Sequence, residues 1–130
     1  MIPFQDLTRA PKDADTMIMR KNDTVDYRLT GVAVNKKSGK AYSLEVEMNT
    51  KKLEPDSMVK VACTCHDFKF RWAYALDQVG ALLNRNMYVL KPAKITNPDN
   101  DTKVCKHLHT FMKLELEHML KHFSKRKGVL

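Results

Sequence analysis

The chain has 130 residues, a mass of 15.0 kDa and a formal net charge of +8 at pH 7. This length suits one small domain, and its three cysteines, an odd number, argue against a framework of disulfide bonds. No apolar run approaches the roughly 20 residues that cross a bilayer, and residues 1–11 lack a secretory signal pattern. We therefore expect a soluble protein with no membrane partner, whose thiols meet a reducing environment while it folds.

The basic residues lie mostly in the second part of the chain. Residues 1–50 contain 8 lysines and arginines against 7 acidic residues, a net charge of +1, whereas residues 51–130 contain 15 against 8, a net charge of +7. This excess indicates either a polyanion or an acidic protein surface as a neighbour, or a solvated lysine-rich surface. Composition leaves these alternatives open.

The first 24 residues show no regular hydrophobic period. Pro3, Pro11 and the polar residues 12–15 predict an extended N-terminal arm over residues 1–24. Residues 25–130, which contain every periodic segment, are predicted to form a single domain.

Three segments near the start of this domain alternate apolar and polar residues, as half-buried strands do. Residues 25–34 and 41–48 are separated by the polar, glycine-containing residues 35–40, a pattern that predicts a β-hairpin with one buried face. A turn at residues 54–57 leads to a third strand over residues 58–63.

Two later segments have helical periodicity. The first runs from Asp67, placed to cap it, to Leu83. The second begins near Asp101 or Thr102, either of which can cap it, and carries one apolar stripe. That stripe consists of Leu108, Phe111, Met112, Leu116, Met119, Leu120 and Phe123. The predicted fold is therefore α+β: a small antiparallel sheet, made of a hairpin and a third strand, with two main helices.

All three cysteines fall in two short motifs that resemble the halves of a zinc site. Cys63-Thr64-Cys65 is followed, after 39 residues, by Cys105-Lys106-His107. Three thiolates and one imidazole make a closed tetrahedral set, as in structural rather than catalytic zinc sites. His66 and His109 compete for the fourth position, and the alternative to a metal site is three ordinary buried cysteines with a surface histidine.

The predicted elements allow these motifs to meet. Cys63 and Cys65, two residues apart at the end of a strand, can direct both sulfur atoms to one face. Cys105 and His107 lie in the first predicted turn of the last helix, where the positive end of the helix favours thiolates. One Zn²⁺ ion would then join the strand to the helix.

Cys-x-Cys followed at a distance by Cys-x-His resembles the SWIM-type zinc finger, and Phe68, three residues after the second cysteine, extends the likeness. The resemblance covers residues 58–123 and implies that Cys63, Cys65, Cys105 and His107 hold zinc on a strand-strand-helix scaffold. The long insertion between the two motifs departs from the usual pattern of the family.

A narrower resemblance concerns SWIM-containing structural proteins of tailed bacteriophages. Two short motifs have a residue pattern similar to that of the corresponding parts of those proteins. They are residues 65–71, Cys-His-Asp-Phe-Lys-Phe-Arg, and residues 95–98, Ile-Thr-Asn-Pro. The resemblance implies a virion protein made in the host cytoplasm, for which we expect a place at the neck, tail or baseplate. Its partners would be other virion proteins in a multi-chain assembly.

Two functions follow from these observations. The first is that of a non-enzymatic structural or assembly protein. The second is that of a nucleic-acid-binding zinc finger in the cytoplasm, with phosphate contacts from basic side chains and stacking by Trp72 or Tyr74. For Trp72, core packing is the competing role. The candidate phosphate contacts are Lys69, Arg71, Lys106, Lys125, Arg126 and Lys127.

Catalysis is not predicted. The closed ligand set leaves no position for water or substrate, and the chain contains no glycine-rich phosphate loop and no catalytic triad pattern. We therefore expect neither an enzyme nor a small-molecule substrate.

Overall fold

A computed structural model describes residues 1–7, 17–22 and 25–127, with side chains throughout except at Met17 and residues 119–127. Its centre is one antiparallel sheet of five strands in the order β1-β5-β4-β3-β2. The strands are β1 (Ile2–Pro3), β2 (Met17–Lys21), β3 (Arg28–Asn35), β4 (Ala41–Met48) and β5 (Met58–Cys63). Two α-helices, α1 (Ala73–Gln78) and α2 (Lys106–Lys127), complete an α+β fold, which confirms the predicted class.

The predicted hairpin is formed by β3 and β4. Their register places Leu29 opposite Val46, and both side chains are buried. The turn between the strands is held by Asn35, whose Oδ1 accepts the backbone N–H groups of Lys37 and Ser38 at 2.9 and 3.1 Å. Gly39 completes it with a φ of +74°, a conformation that glycine adopts without strain.

Two further strands extend the sheet beyond the three that we predicted. Both come from residues 1–24, the predicted arm, of which residues 8–16 and 23–24 lie outside the described residues. Ile2 pairs with Val59 on β5, and Ile18 pairs with Val34 on β3. Both strands lie at sheet edges and are paired to segments distant in sequence, so local periodicity carries little sign of them.

The first helical segment is shorter than predicted. A π-helical turn at Phe68–Trp72 leads into α1, which ends at Gln78 because Gly80, with a φ of +69°, reverses the chain. Residues 81–83 then run parallel to β5: the N–H of Val61 donates to the carbonyl of Ala81, and the N–H of Leu83 donates to that of Val61, both at 2.9 Å. The predicted end at Leu83 was wrong because these residues complete the edge of the sheet.

The start of the last helix also differs from the prediction. Neither Asp101 nor Thr102 caps it, because α2 begins at Lys106, and the N–H of His109 donates to the carbonyl of Cys105 at 3.0 Å. The chain before it is held in a turn, since Oδ1 of Asn97 accepts the N–H of Asp101 at 2.9 Å. Cys105 is therefore the residue that immediately precedes the helix.

The helix α2 packs against the inner face of the sheet through Leu108, Phe111 and Met112, all buried as predicted. Phe111 lies against Gly31 on β3, where an added Cβ would be only 2.6 Å from the aromatic Cε1. The side chains of the predicted stripe beyond Leu116 lie outside the described part of the chain. Among the described residues, no helix combines the length and the apolar character needed to span a membrane.

Candidate metal centre

Four side chains from the two motifs meet at the junction of the sheet and α2. The sulfur atoms of Cys63, Cys65 and Cys105 and a ring nitrogen of His107 all lie within 4.8 Å of one another. The four residues are between 0% and 5% exposed. We call them the four-residue cluster, and its donors can hold a metal ion.

The first half of the cluster is shaped by the end of β5. Cys63 is the last residue of the strand, and Thr64 is fixed to β4 because its N–H donates to the carbonyl of Ser43 at 3.2 Å. The N–H of Ser43 donates in return to Oγ1 of Thr64 at 2.9 Å. This pairing holds the short segment between the two cysteines in place.

Backbone N–H groups point at two of the sulfur atoms. The N–H of Cys65 donates to Sγ of Cys63 at 3.4 Å, and that of Phe68 donates to Sγ of Cys65 at 3.3 Å. Donors arranged in this way stabilise thiolates, which are the form that binds zinc.

Asp67 does not cap the helical segment, contrary to our prediction. Its side chain makes no capping hydrogen bond; instead it accepts from Nε1 of Trp72 and pairs with Nε of Arg71, both at 3.1 Å. Asp67 already has helical backbone angles, with φ −58° and ψ −43°, so it lies inside the helical segment, and the sulfur of Cys65 accepts the N–H of Phe68 instead.

The second half of the cluster lies at the start of α2. Cys105 precedes the helix and His107 is its second residue, so both lie at its positive end. Both ring nitrogens of His107 are buried without a hydrogen-bond partner among the described residues. A buried imidazole left in this state is costly, and coordination of one nitrogen to a metal removes part of that cost.

Two aromatic residues support the cluster. The Tyr88 hydroxyl accepts the N–H of Cys63 at 3.1 Å and donates to its carbonyl at 2.9 Å, so it clamps both backbone groups of one cysteine. The ring of Tyr42 lies 4.8 Å from that of His107, centroid to centroid. Sequence analysis missed both residues, because neither stands near a motif in the chain.

Burial and mutual hydrogen bonding give the three thiols different proton affinities. Burial raises the pKa of Cys105 well above its usual value, whereas hydrogen bonds from the Cys105 and Cys63 thiols lower the pKa of Cys65. A thiolate at Cys65 is thus stabilised by its two neighbours. Binding of a divalent cation would replace the remaining protons of the cluster.

The donor set and its dimensions fit zinc. A tetrahedral ion with Zn–S bonds of about 2.3 Å separates its sulfur ligands by about 3.8 Å. The donors lie within 4.8 Å of one another, so each sulfur–sulfur distance exceeds that separation by about 1 Å at most.

The two competing histidines lie outside the cluster. His66 is exposed, and its ring packs on Phe70 with centroids 4.5 Å apart. His109 is half-buried one residue beyond Leu108, and its ring is not among the converging donors.

Three of the six candidate phosphate contacts have described side chains, and these three differ in exposure and in partners. Lys69 is exposed and Lys106 is half-buried, whereas Arg71 pairs with Asp67 and lies 5.6 Å from the ring centroid of Trp72. Trp72 itself is 6% exposed and packs in the core. The side chains of Lys125, Arg126 and Lys127 lie outside the described residues.

Comparison of the chain with models of protein families, with curated proteins and with solved structures finds no significant match. The likeness to SWIM-type zinc fingers therefore depends on the two motifs and on the convergence of their side chains in the fold.

Proposed function

We propose that this protein is a non-enzymatic structural or assembly protein whose four-residue cluster binds one Zn²⁺ ion in the manner of a SWIM-type zinc finger. The observation that carries the proposal is the convergence, within 4.8 Å of one another, of four buried donors from the end of β5 and the start of α2. A Cys₃His set fills all four positions of a tetrahedral ion, so such a metal stabilises the fold and leaves no position for a substrate.

The metal proposal is tested by elemental analysis of the purified protein together with thermal unfolding. We expect one zinc ion per chain, and we expect Cys105→Ser and His107→Ala to lose the ion and to unfold at lower temperature. His66→Ala is the matched control, because it removes an exposed imidazole outside the cluster. Absence of zinc, or a Cys105→Ser variant that unfolds like the parent, contradicts the proposal.

We place this role in the particle of a tailed bacteriophage, with other virion proteins as partners. The support is the similarity of residues 65–71 and 95–98 to the corresponding parts of phage structural proteins. The test is fractionation of a phage lysate on a density gradient, followed by immunodetection of the chain. Its presence in purified particles supports the proposal, and its confinement to the soluble host fraction contradicts it.

Nucleic-acid binding is the second candidate. The observation that favours it is the net charge of +8, with three basic residues in a row at the end of α2. Binding of a DNA duplex that weakens steeply as salt rises, and that falls when Lys125, Arg126 and Lys127 are replaced by glutamine, would favour this role. Failure to bind at low salt would reject it.

A further inference from the structure

A group of exposed apolar side chains lies beside the candidate metal centre. Phe70, Met87 and Val89 line a shallow cavity of about 200 Å³ together with Lys69 and Tyr88. The three apolar residues are 60%, 58% and 75% exposed. Exposed apolar side chains that share one cavity indicate a binding surface more strongly than the same side chains scattered singly.

A neighbouring turn extends this surface. The N–H of Asn97 donates to the carbonyl of Ala93 at 2.9 Å, which closes a turn with Ile95 at its tip, 94% exposed. The turn is attached to the segment that carries Phe70, because Oγ1 of Thr96 donates to the carbonyl of Phe70 at 3.4 Å. We call Phe70, Met87, Val89 and Ile95 the apolar patch.

The segment that carries the cavity-lining residues is basic, whereas two exposed carboxylates, Asp99 and Asp101, follow the turn that carries Ile95. Residues 66–94 contain two acidic side chains, and each is engaged by an arginine: Asp67 by Arg71 at 3.1 Å and Asp77 by Arg85 at 2.9 Å. The three lysines of the segment are exposed and make no ion pair with the described residues. They are Lys69, Lys91 and Lys94.

We propose that the apolar patch binds an acidic segment of a partner protein that carries large apolar side chains. The lysines supply the charge complementarity, and the cavity between Phe70 and Val89 receives an apolar side chain. A protein suits this surface better than a nucleic acid, because three of its four side chains are aliphatic and only Phe70 can stack on a base.

The apolar patch is built on the metal centre, so this inference rests on the proposed structural role. Tyr88 lines the cavity and clamps Cys63 through its hydroxyl group, and its ring lies 5.6 Å from that of the buried Phe68. Zinc at the four-residue cluster would thereby hold the docking surface in shape. Metal analysis tests the role, and a separate binding measurement tests the surface.

The binding test uses the full zinc-loaded chain as the target for a displayed library of short random peptides. We expect the enriched peptides to combine aspartate or glutamate with leucine, isoleucine, phenylalanine or tryptophan. Their affinity should fall with salt, and Val89→Glu should lower it at least about tenfold. Val25→Glu is the matched control, since Val25 is 64% exposed beside the first residue of β3, away from the apolar patch.

A charge reversal provides a second variant. Lys69→Glu should weaken binding of the acidic peptides and improve binding of versions in which lysine replaces their acidic residues. Val89→Glu and Lys69→Glu should both keep one zinc ion per chain and the unfolding temperature of the parent, which separates loss of the surface from loss of the fold.

Three results would overturn the inference. These are no enrichment of acidic apolar peptides, equal weakening by Val25→Glu and Val89→Glu, and binding of a single-stranded oligonucleotide that Val89→Glu abolishes. The last result would assign the surface to nucleic acid instead.

Discussion

At the scale of single residues, the hydroxyl group of Tyr88 joins two parts of the molecule that are distant in sequence. Through this group Tyr88 bonds to both the N–H and the carbonyl of one cluster cysteine, Cys63, and burial raises the pKa of the phenol, so it stays protonated and able to donate. The orientation of Cys63 therefore depends on a residue 25 positions further along the chain.

Replacement of Tyr88 by phenylalanine should destabilise the fold by about 1–3 kcal/mol, because it leaves two buried backbone groups of Cys63 without a partner. Zinc should also be lost more readily, since one ligand is less firmly positioned. Chemical unfolding and competition with a zinc-binding dye measure the two effects. Tyr42→Phe, which keeps the ring beside His107, is the control and should behave like the parent.

At the scale of elements, the position of α2 on the sheet depends on close packing and on one ion pair. Gly31 allows Phe111 to approach the backbone of β3, and Lys21 on β2 reaches Glu115 on α2 at 3.2 Å. Glu115 is 6% exposed, so its carboxylate depends on this partner. The edge strand β2 is thus tied to the helix as well as to β3.

Gly31→Ala should lower the free energy of unfolding by about 1–3 kcal/mol, because the new methyl group overlaps the Phe111 ring and the carbonyl of Arg20. Phe111→Leu in the same chain makes room for the methyl group, so the double variant should lose less than the sum of the single changes. A double-mutant cycle, with the free energy of unfolding measured in urea, tests this. If the losses of the two single variants simply add in the double variant, the close packing of Gly31 and Phe111 is contradicted.

Lys21→Met should cost about 1–2 kcal/mol, because it leaves a buried carboxylate at Glu115 without its cation; the partial exposure of the lysine keeps the cost below that of a fully buried pair. Adding Glu115→Leu should restore most of that loss. Stability measured on both variants checks the expectation, and a single variant as stable as the parent would show that the pair contributes nothing.

At the scale of the whole molecule, the four-residue cluster lies where the end of β5 meets the start of α2. Cys63 and Cys105 are 42 positions apart in the chain, so a metal held by both would join the sheet to the 22-residue helix α2. A metal at this junction would couple the unfolding of the sheet to that of the helix.

The unfolding temperature should therefore rise with free zinc and fall when a chelator removes it. A free zinc concentration about 1,000-fold above the dissociation constant contributes about 4 kcal/mol, which corresponds to a shift of about 10 °C or more for a domain of this size. Calorimetry across a zinc titration measures the shift, with magnesium as the control ion. An unfolding temperature that does not change with zinc concentration would contradict the prediction that zinc stabilises the fold.

Local patterns in the sequence were enough to predict several of the elements. The alternation in β3, β4 and β5 and the apolar stripe of α2 predicted those elements, because burial of one face imposes a period on neighbouring residues. The two motifs also named the four side chains that the fold brings together, since cysteine is rare enough for its spacing to stand out.

Features that depend on partners distant in sequence became visible in the folded structure alone. The strands β1 and β2, the early end of α1 at Gly80 and the clamp by Tyr88 all arise from contacts between segments far apart in the chain. Backbone hydrogen bonds to a sheet edge and a single hydroxyl contact impose no repeating pattern of apolar and polar residues. These features therefore could not be predicted without the fold.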